Sequence, residues 1–388
     1  MFDLRGISLG PVNSTPRQPQ PTIPLHRPWF GEEEEVAILR VVRARELAGN
    51  GRECKMLEAE LQALSGAKHV LAVSSATHAL EIAVHLVGAQ GGEVIVPSFT
   101  FPSVGNAIIR AGGRIRFCEI REPDLNVDLD HALSLVNRDT RALVVTHYAG
   151  HPVDCREVPV PVVEDAAHAL GSRIDGRACG TVGAFGCFSF HQTKNVVAGE
   201  GGALIVQDES AARAARIFRE KGTNRDDFIA GKSKFYSWVE LGSSLVMPEV
   251  SAALARVQLG KIDDILCARR RIAGLYDERL AELERQGAVR IARPTATRRL
   301  SAHHIYAVLV DPVRRDQLVA RMARSGVQAS SHFVPLHSSP YGRRMSDSPD
   351  LPRTNRLAAS LIRLPIYPDL SEQEIDYVVD SLTTAMST

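Results

Sequence analysis

From His69 onward the chain alternates short apolar runs with longer stretches of helical periodicity, and this alternation narrows the fold more than any other feature. HVLAVSS, EVIVPS, RIRFCEI, ALVVTHYAG and VPVVED are separated by segments such as THALEIAVHLVG and FPSVGNAIIRAGG. Runs this apolar leave no face for water, so each predicts a strand buried on both sides. Strands covered on both faces and separated by helices make a mostly parallel sheet with crossover helices, an α/β fold. In such sheets ligands gather beyond the carboxyl ends of the strands, and functional residues are to be sought there.

Two further runs, GAFGCFSF and GGALIVQD, bracket HQTKNVVAGE and put Lys194 in a loop between two strands. Upstream, a Pro-rich opening reads as an irregular arm. GEEEEVAILRVVRAREL follows as a helix with carboxylates at its positive end, and ECKMLEAELQALSG as a second helix closed by Gly66. Downstream, the helical stretch MPEVSAALARVQLGKIDDILCARRRIAGLYDERLAEL leads into a smaller α/β domain with strand-like HIYAVLV and helical DQLVARMARSG and SEQEIDYVVDSL. A chain of 388 residues has room for two lobes. The expected division is an arm over 1–30, a large domain over 31–265 and a small domain over 266–388.

Composition removes several function classes. Aromatic residues make up 5% of the chain and the formal net charge is +1, so neither a stacking surface nor a basic field for nucleic acid is expected. No signal-type apolar core and no apolar run of about 18 residues occurs, so the expectation is a cytoplasmic protein without a membrane partner. The six cysteines lack CxxC spacing, which predicts reduced thiols and no metal site. Among 46 basic residues only seven are lysines, namely Lys55, Lys68, Lys194, Lys221, Lys232, Lys234 and Lys261. Arginine cannot act as an amine nucleophile, so candidates for covalent amine chemistry are few. The arginine bias also suggests a GC-rich genome.

Three sites fall at strand ends. In SSATHAL the small residues Ser75, Ala76 and Thr77 turn a strand into a helix, where free backbone N–H groups favour a phosphate; an ordinary N-capped turn explains them equally. In EDAAHALGS, Asp165 could pair with a protonated pyridine nitrogen and His168 with a ring oxygen, or serve as a helix cap and a structural histidine. In SFHQTKN, Ser189 and His191 precede Lys194, whose amine could form a Schiff base with an aldehyde and then shuttle protons. One cofactor with a phosphate, a pyridine nitrogen and an aldehyde would use all three, and this conjunction favours pyridoxal phosphate (PLP) over the separate structural readings.

At this point the sequence resembles the DegT-type sugar aminotransferases, PLP enzymes of the aspartate-aminotransferase (type I) fold. VSSATHALEIA, PSFTFPSVGNAI, VVEDAAHALGS and CFSFHQTKNVVAGEGG carry the resemblance, which covers nearly the whole chain. It implies Lys194 as the Schiff-base lysine, Asp165 on the pyridinium nitrogen, Phe101 stacked on the ring, and Ser189 with the Ala76–Thr77 turn at the phosphate. Where many members carry an Asn that reaches the neighbouring subunit's phosphate, this chain has Ser244. Pyridoxamine phosphate would be the intermediate cofactor form, and a homodimer with shared sites is implied.

A narrower resemblance, in REKGTNRDDFIAGKSKFYSWVELGSS and HFVPLH, is to enzymes that aminate carbon 4 of dTDP-4-keto-6-deoxyglucose with glutamate as donor. It implies Asn224, Arg225, Tyr236, Trp238, His332 and His337 at the sugar-nucleotide site. Alternatives are a C3 aminotransferase, a sugar dehydratase of the same fold, whose relatives replace the lysine by histidine, and a non-catalytic regulator. The stereochemistry at carbon 4 stays open, as does the choice between an antibiotic glycoside and a cell-envelope glycan pathway.

Overall fold

The computed structural model describes residues 23–294, 299–345 and 349–387. The first 22 residues of the expected arm lie outside these. Two helices, α1 (Glu32–Ala44) and α2 (Arg52–Ser65), precede the main sheet, and Gly66 closes the second in the left-handed conformation at φ 74°.

The apolar runs become the seven strands β1 (His69–Val73), β2 (Glu93–Pro97), β3 (Arg114–Cys118), β4 (Thr140–Thr146), β5 (Val162–Asp165), β6 (Phe185–Ser189) and β7 (Gly202–Val206). Their order across the sheet is β1-β7-β6-β5-β4-β2-β3. The neighbours β3, β2, β4, β5 and β6 pair in parallel, and β7 runs antiparallel to both β6 and β1. The sheet is thus mostly parallel, as the alternation implies. Both faces are buried with period two: Leu71, Val73 and Leu204 face α3 (Ala76–Leu86) and α4 (Pro102–Arg110), while Val70, Ala72 and Ile205 face α2.

As an edge strand, β1 exposes backbone groups that need partners. Ala72 N–H donates to Glu58 Oε1 at 2.9 Å, and Ala72 O accepts from Arg219 Nη1 at 2.9 Å. Arg219, the last residue of α5 (Glu209–Arg219), is fully buried and also donates to Glu58 Oε1 at 2.7 Å. Burial alone would raise the Glu58 pKa; the Arg219 and Lys55 charges outweigh it and hold the carboxyl below its usual range. This knot steadies the strand that ends at Val73, just before the Ser74–Ser75 turn. Glu58→Ala leaves a buried guanidinium without its hydrogen-bonded acid, with only Asp226 at 3.9 Å, and should cost about 3 kcal/mol, read as a lower Tm by calorimetry; Glu58→Gln, which keeps an acceptor, should cost less.

The long helical stretch is two helices, α6 (Glu249–Gly260) and α7 (Ile262–Arg285), broken at Lys261. Ile262 and Leu266 of α7 pack on the large-domain core, whereas Ile272, Ala273, Tyr276 and Leu280 pack into a second core. The domain boundary expected at 265 therefore falls inside a continuous helix. The second core covers a three-stranded antiparallel sheet of β8 (Arg290–Ile291), β9 (Tyr306–Leu309) and β10 (Leu361–Leu364), together with α8 (Arg315–Arg324) and α9 (Glu372–Ser387). The arm joins it: Ile23 is buried there and pairs with Val327, and Leu25 O accepts from Ile366 N–H at 3.2 Å. Among the described residues no helix is long and apolar enough to cross a membrane. All six cysteines are free, five of them buried.

Candidate active site

A cavity of about 440 Å³ opens at the carboxyl ends of the parallel strands. Ser75, Ala76, Thr77, Phe101, Asp165, His168, Ser189, His191, Lys194 and His332 line it, together with Thr100, Ser103, Thr146, Glu200, Phe333 and Arg363. The fold thus gathers the three strand-end sites, spread from residue 75 to residue 194 of the sequence, into one space.

The first wall is the turn from β1 into α3. Ser75 is the N-cap, in extended conformation, and its Oγ accepts from His78 N–H at 3.2 Å. The first-turn N–H groups of a helix lack intrahelical partners and suit an anion. Thr77 and Ser103 hydroxyls lie 2.7 Å apart beside them. Gly202 explains part of the GEGG pattern: a Cβ there would stand 2.6 Å from Ala76 N, so only glycine lets β7 approach the turn. Ser189 closes this wall at the end of β6, its Oγ accepting from His191 N–H at 3.4 Å.

The floor is Asp165, the last residue of β5 and 6% exposed. Oδ1 accepts from Ala167 N–H at 3.1 Å. Burial pushes the carboxyl up, against the Ala167 hydrogen bond and the Lys194 and His147 charges. Its neighbour Glu164 points to the other face, accepting from Gly180, Val182 and Gly183 N–H and lying 2.8 Å from His147 Nε2. His147 Nδ1 accepts from Val153 N–H at 3.0 Å, so the ring proton sits on Nε2 and faces Glu164.

Lys194 sits in the turn after β6, its N–H donating to His191 O at 2.8 Å. The next residue fixes that turn: Asn195 Nδ2 donates to Ala302 O at 3.1 Å, and Asn195 Oδ1 lies 3.0 Å from His304 Nδ1. Burial lowers the Lys194 pKa to about 8; the Asp165 charge works against this and the Arg363 charge adds to it. A lysine poised near neutrality is both a usable nucleophile and a usable base.

The third wall is aromatic. His332 Nδ1 lies 3.0 Å from the Tyr148 hydroxyl, and its ring stacks at 6.0 Å on His168, which lies 4.5 Å from His304. Burial pushes His332 down to about 2, with Arg363 and Lys194 acting in the same direction, so it is neutral. Phe101 caps α4 from the cavity rim and is 56% exposed.

His337 is not brought to the cavity. It is buried 2.6 Å from Ser98 Oγ, to which its backbone N–H also donates, because HFVPLH ends in a short 3-10 turn that carries it beneath β2. Asn224, Arg225, Tyr236, Trp238 and Ser244 lie outside this protomer's cavity, on a surface segment pinned by the bridges Thr223↔Trp238 and Glu220↔Ser244. Sequence reading overlooked Arg363, Phe333 and the Thr100–Thr146 hydroxyl pair at 2.9 Å. Arg363 had a signal, a lone charge inside the apolar run LIRLP.

Polar groups left open match the cofactor. His168 Nδ1 is buried without a hydrogen-bond partner, and the Lys194 amine makes no hydrogen bond among the described residues. A ring oxygen would complete the first and an aldehyde the second; Asp165 would suit a ring nitrogen, Phe101 the ring, and the Ser75–Thr77 turn with Ser189 a phosphate. Fold and site together define a PLP-dependent enzyme.

The chain belongs to the DegT/DnrJ/EryC1/StrS aminotransferase family, whose model matches residues 29–383. Among solved structures it is similar to the aminotransferase TlmJ from Streptoalloteichus hindustanus, at 31% identity and TM-score 0.87 over 94% of this chain and 99% of that one. It is also similar to DesV from S. venezuelae, at 28% identity and TM-score 0.85 over 96% and 100%. The sugar aminotransferase CalS13 from Micromonospora echinospora matches at 26% identity and TM-score 0.84 over 93% and 99%.

Proposed function

We propose that the protein transfers an amino group from glutamate to carbon 4 of a dTDP-linked 4-keto-6-deoxyhexose, giving a dTDP-4-amino-4,6-dideoxy sugar. The observation that carries amine transfer is Lys194, a buried lysine lowered to about 8 in a cavity with Asp165 on its floor. A dehydratase of this fold would carry histidine there. The sugar-nucleotide part rests on the resemblance of residues 219–244 and of HFVPLH, and on sugar aminotransferases among the similar structures.

Bound PLP supplies an electron sink conjugated to the reacting carbon. The chain does the rest. Lys194 would hold the cofactor's aldehyde and, as a free amine, would hold and return the proton exchanged with the reacting carbon of donor and sugar. Asp165 would pair with the protonated ring nitrogen, and Phe101 with His168 would hold the ring. The exposed aromatics Phe235 (76%) and Trp238 (80%) have no covering element in one protomer. A homodimer that delivers Asn224, Arg225, Tyr236, Trp238 and Ser244 to the partner's cavity would cover them.

The test is incubation of the PLP-loaded protein with glutamate and dTDP-4-keto-6-deoxyglucose. 2-Oxoglutarate and a 4-amino sugar are expected in equal amounts, with NMR couplings at carbon 4 giving the stereochemistry. Deoxygenation without 2-oxoglutarate, or amination at carbon 3, would overturn the reading. A bound cofactor whose absorbance answers to no donor would make the protein a regulator.

A further inference from the structure

Tyr148 follows β4 in a single 3-10 turn (Tyr148–Gly150) and is 1% exposed. Its backbone N–H donates to Asn126 Oδ1 at 2.8 Å, and its ring packs edge-on against Phe99 at 5.1 Å and His168 at 5.9 Å. Tyr148 does not line the cavity, so its hydroxyl has no ligand to turn to. Among the described residues the partner of that hydroxyl is His332 Nδ1, at 3.0 Å.

Which of the two atoms donates follows from counting protons. Burial keeps the phenol protonated, and a phenol proton buried without an acceptor is costly. Were Nδ1 the donor, the phenol would accept and its own proton would face nothing. The hydroxyl therefore donates to Nδ1, which leaves the single proton of a neutral imidazole on Nε2. The ring takes up no second proton, since burial and the positive charges of Arg363 and Lys194 all oppose one. Nε2 is neither buried nor hydrogen-bonded among the described residues. His332 lines the cavity with its Nδ1 edge sealed by Tyr148, so the edge it offers a ligand is the Nε2–H. Stacking on Phe333 at 3.7 Å and on His168 at 6.0 Å holds the ring plane.

A neutral imidazole keeps its proton and acts by hydrogen bonding. An N–H fixed in place suits an oxygen that gains negative charge during a reaction, because it need not reorient at that moment. Amine transfer contains such an oxygen. The carbonyl oxygen of the keto acceptor leaves as water, with the two hydrogens that the incoming nitrogen gives up; in the donor half-reaction water returns an oxygen to the same place as the 2-oxo acid forms. We propose that Tyr148 is a positioning residue that locks the His332 proton on Nε2, and that this N–H holds the oxygen at the reacting carbon in both half-reactions. The proposal rests on the amine-transfer reading of Lys194. It assigns His332 to an atom that sugar and 2-oxo acid share, instead of to the nucleotide.

The lock is read without turnover. Long-range proton–nitrogen spectra of PLP-loaded protein labelled with nitrogen-15 histidine, with the His332 signals assigned by their loss in His332→Phe, should show the proton on Nε2. Tyr148→Phe, which keeps the aromatic ring, should lose that preference. A parent ring protonated at Nδ1 overturns the proposal. For the reaction, L-glutamate is mixed with the PLP form and dTDP-4-keto-6-deoxyglucose with the pyridoxamine-phosphate form, each over a range of concentrations. His332→Phe should slow the maximal rate roughly 100-fold in both, the scale of one lost donor to a developing oxyanion. Tyr148→Phe should slow both roughly 10-fold, the scale of one hydrogen bond, with half-saturation little changed. His332→Gln, whose amide N–H reaches toward the Nε2 position, should recover part of the loss. The double variant should be no slower than His332→Phe, because the hydroxyl acts only through the ring. Multiplied losses overturn the proposal. So does a loss confined to the sugar half-reaction, or one seen only as weaker binding, either of which would make His332 a sugar-recognition residue. If glutamate reacts and the keto sugar does not, the sugar reading fails, and the glutamate arm with the spectra decides the proposal.

Discussion

Lys194→Ala should lower turnover by at least about 10⁴-fold, since it removes the proposed covalent anchor and proton-transfer base together. The measurement is direct. Loading with PLP, reduction with borohydride and mass spectrometry should show one cofactor mass on the parent chain and none on the variant. A cofactor mass retained by Lys194→Ala would place the anchor elsewhere, although none of Lys55, Lys68, Lys221, Lys232, Lys234 and Lys261 lines the cavity. Lys194→Arg should be as inactive, because a guanidinium keeps the charge but does not condense with an aldehyde.

The loss would not come from unfolding. The amine makes no hydrogen bond among the described residues, and burial holds its pKa at about 8 instead of 10.5. A base whose pKa is depressed on folding is penalised wherever it is protonated. The folded protein is therefore destabilised by this group below pH 8 and released from the penalty as the pH rises toward 10.5. Removing the amine lifts that penalty, so the cofactor-free variant should melt no lower than the parent at pH 7. For the same reason capture of PLP by the cofactor-free parent should accelerate with pH around a midpoint near 8.

The place of Lys194 in the cavity was legible in the sequence because its signals are local: few lysines, a glycine-rich loop and two flanking apolar runs. The sheet was legible because residues such as Leu71 and Val70 are both buried on opposite faces, leaving continuous apolar runs. The small domain was less so. β8 and β10 are two and four residues long, too short for a periodicity, and β10 carries an arginine. Arg363 reaches the site only because that strand pairs with β9 across more than 50 residues. His337 failed for the opposite reason. Its motif is compact, but the turn after Pro335 sends its side chain toward Ser98. A single chain also cannot bring in residues 224–244 if their target is another copy.

Asp165→Asn should reduce turnover by roughly 10³-fold, the scale of removing one charge-stabilising group from a preorganised site. The amide is nearly the same size and can still accept from Ala167 N–H at the Oδ1 position. What it loses is the negative charge proposed to keep the cofactor's ring nitrogen protonated, and with it the ring's capacity to take up electrons. Stability should move the other way. Burial raises the Asp165 pKa, so between its unfolded and folded values the native state holds a proton that the unfolded chain has released, and stability falls as pH rises through that window. Asparagine has no such window. The cofactor-free variant should therefore melt no lower than the parent at pH 7, while PLP, which lends the parent's carboxylate a cationic partner, should raise the parent's Tm more than the variant's. A variant that loses activity and also melts well below the parent without cofactor would mark Asp165 as a structural cap on the Ala167 turn instead.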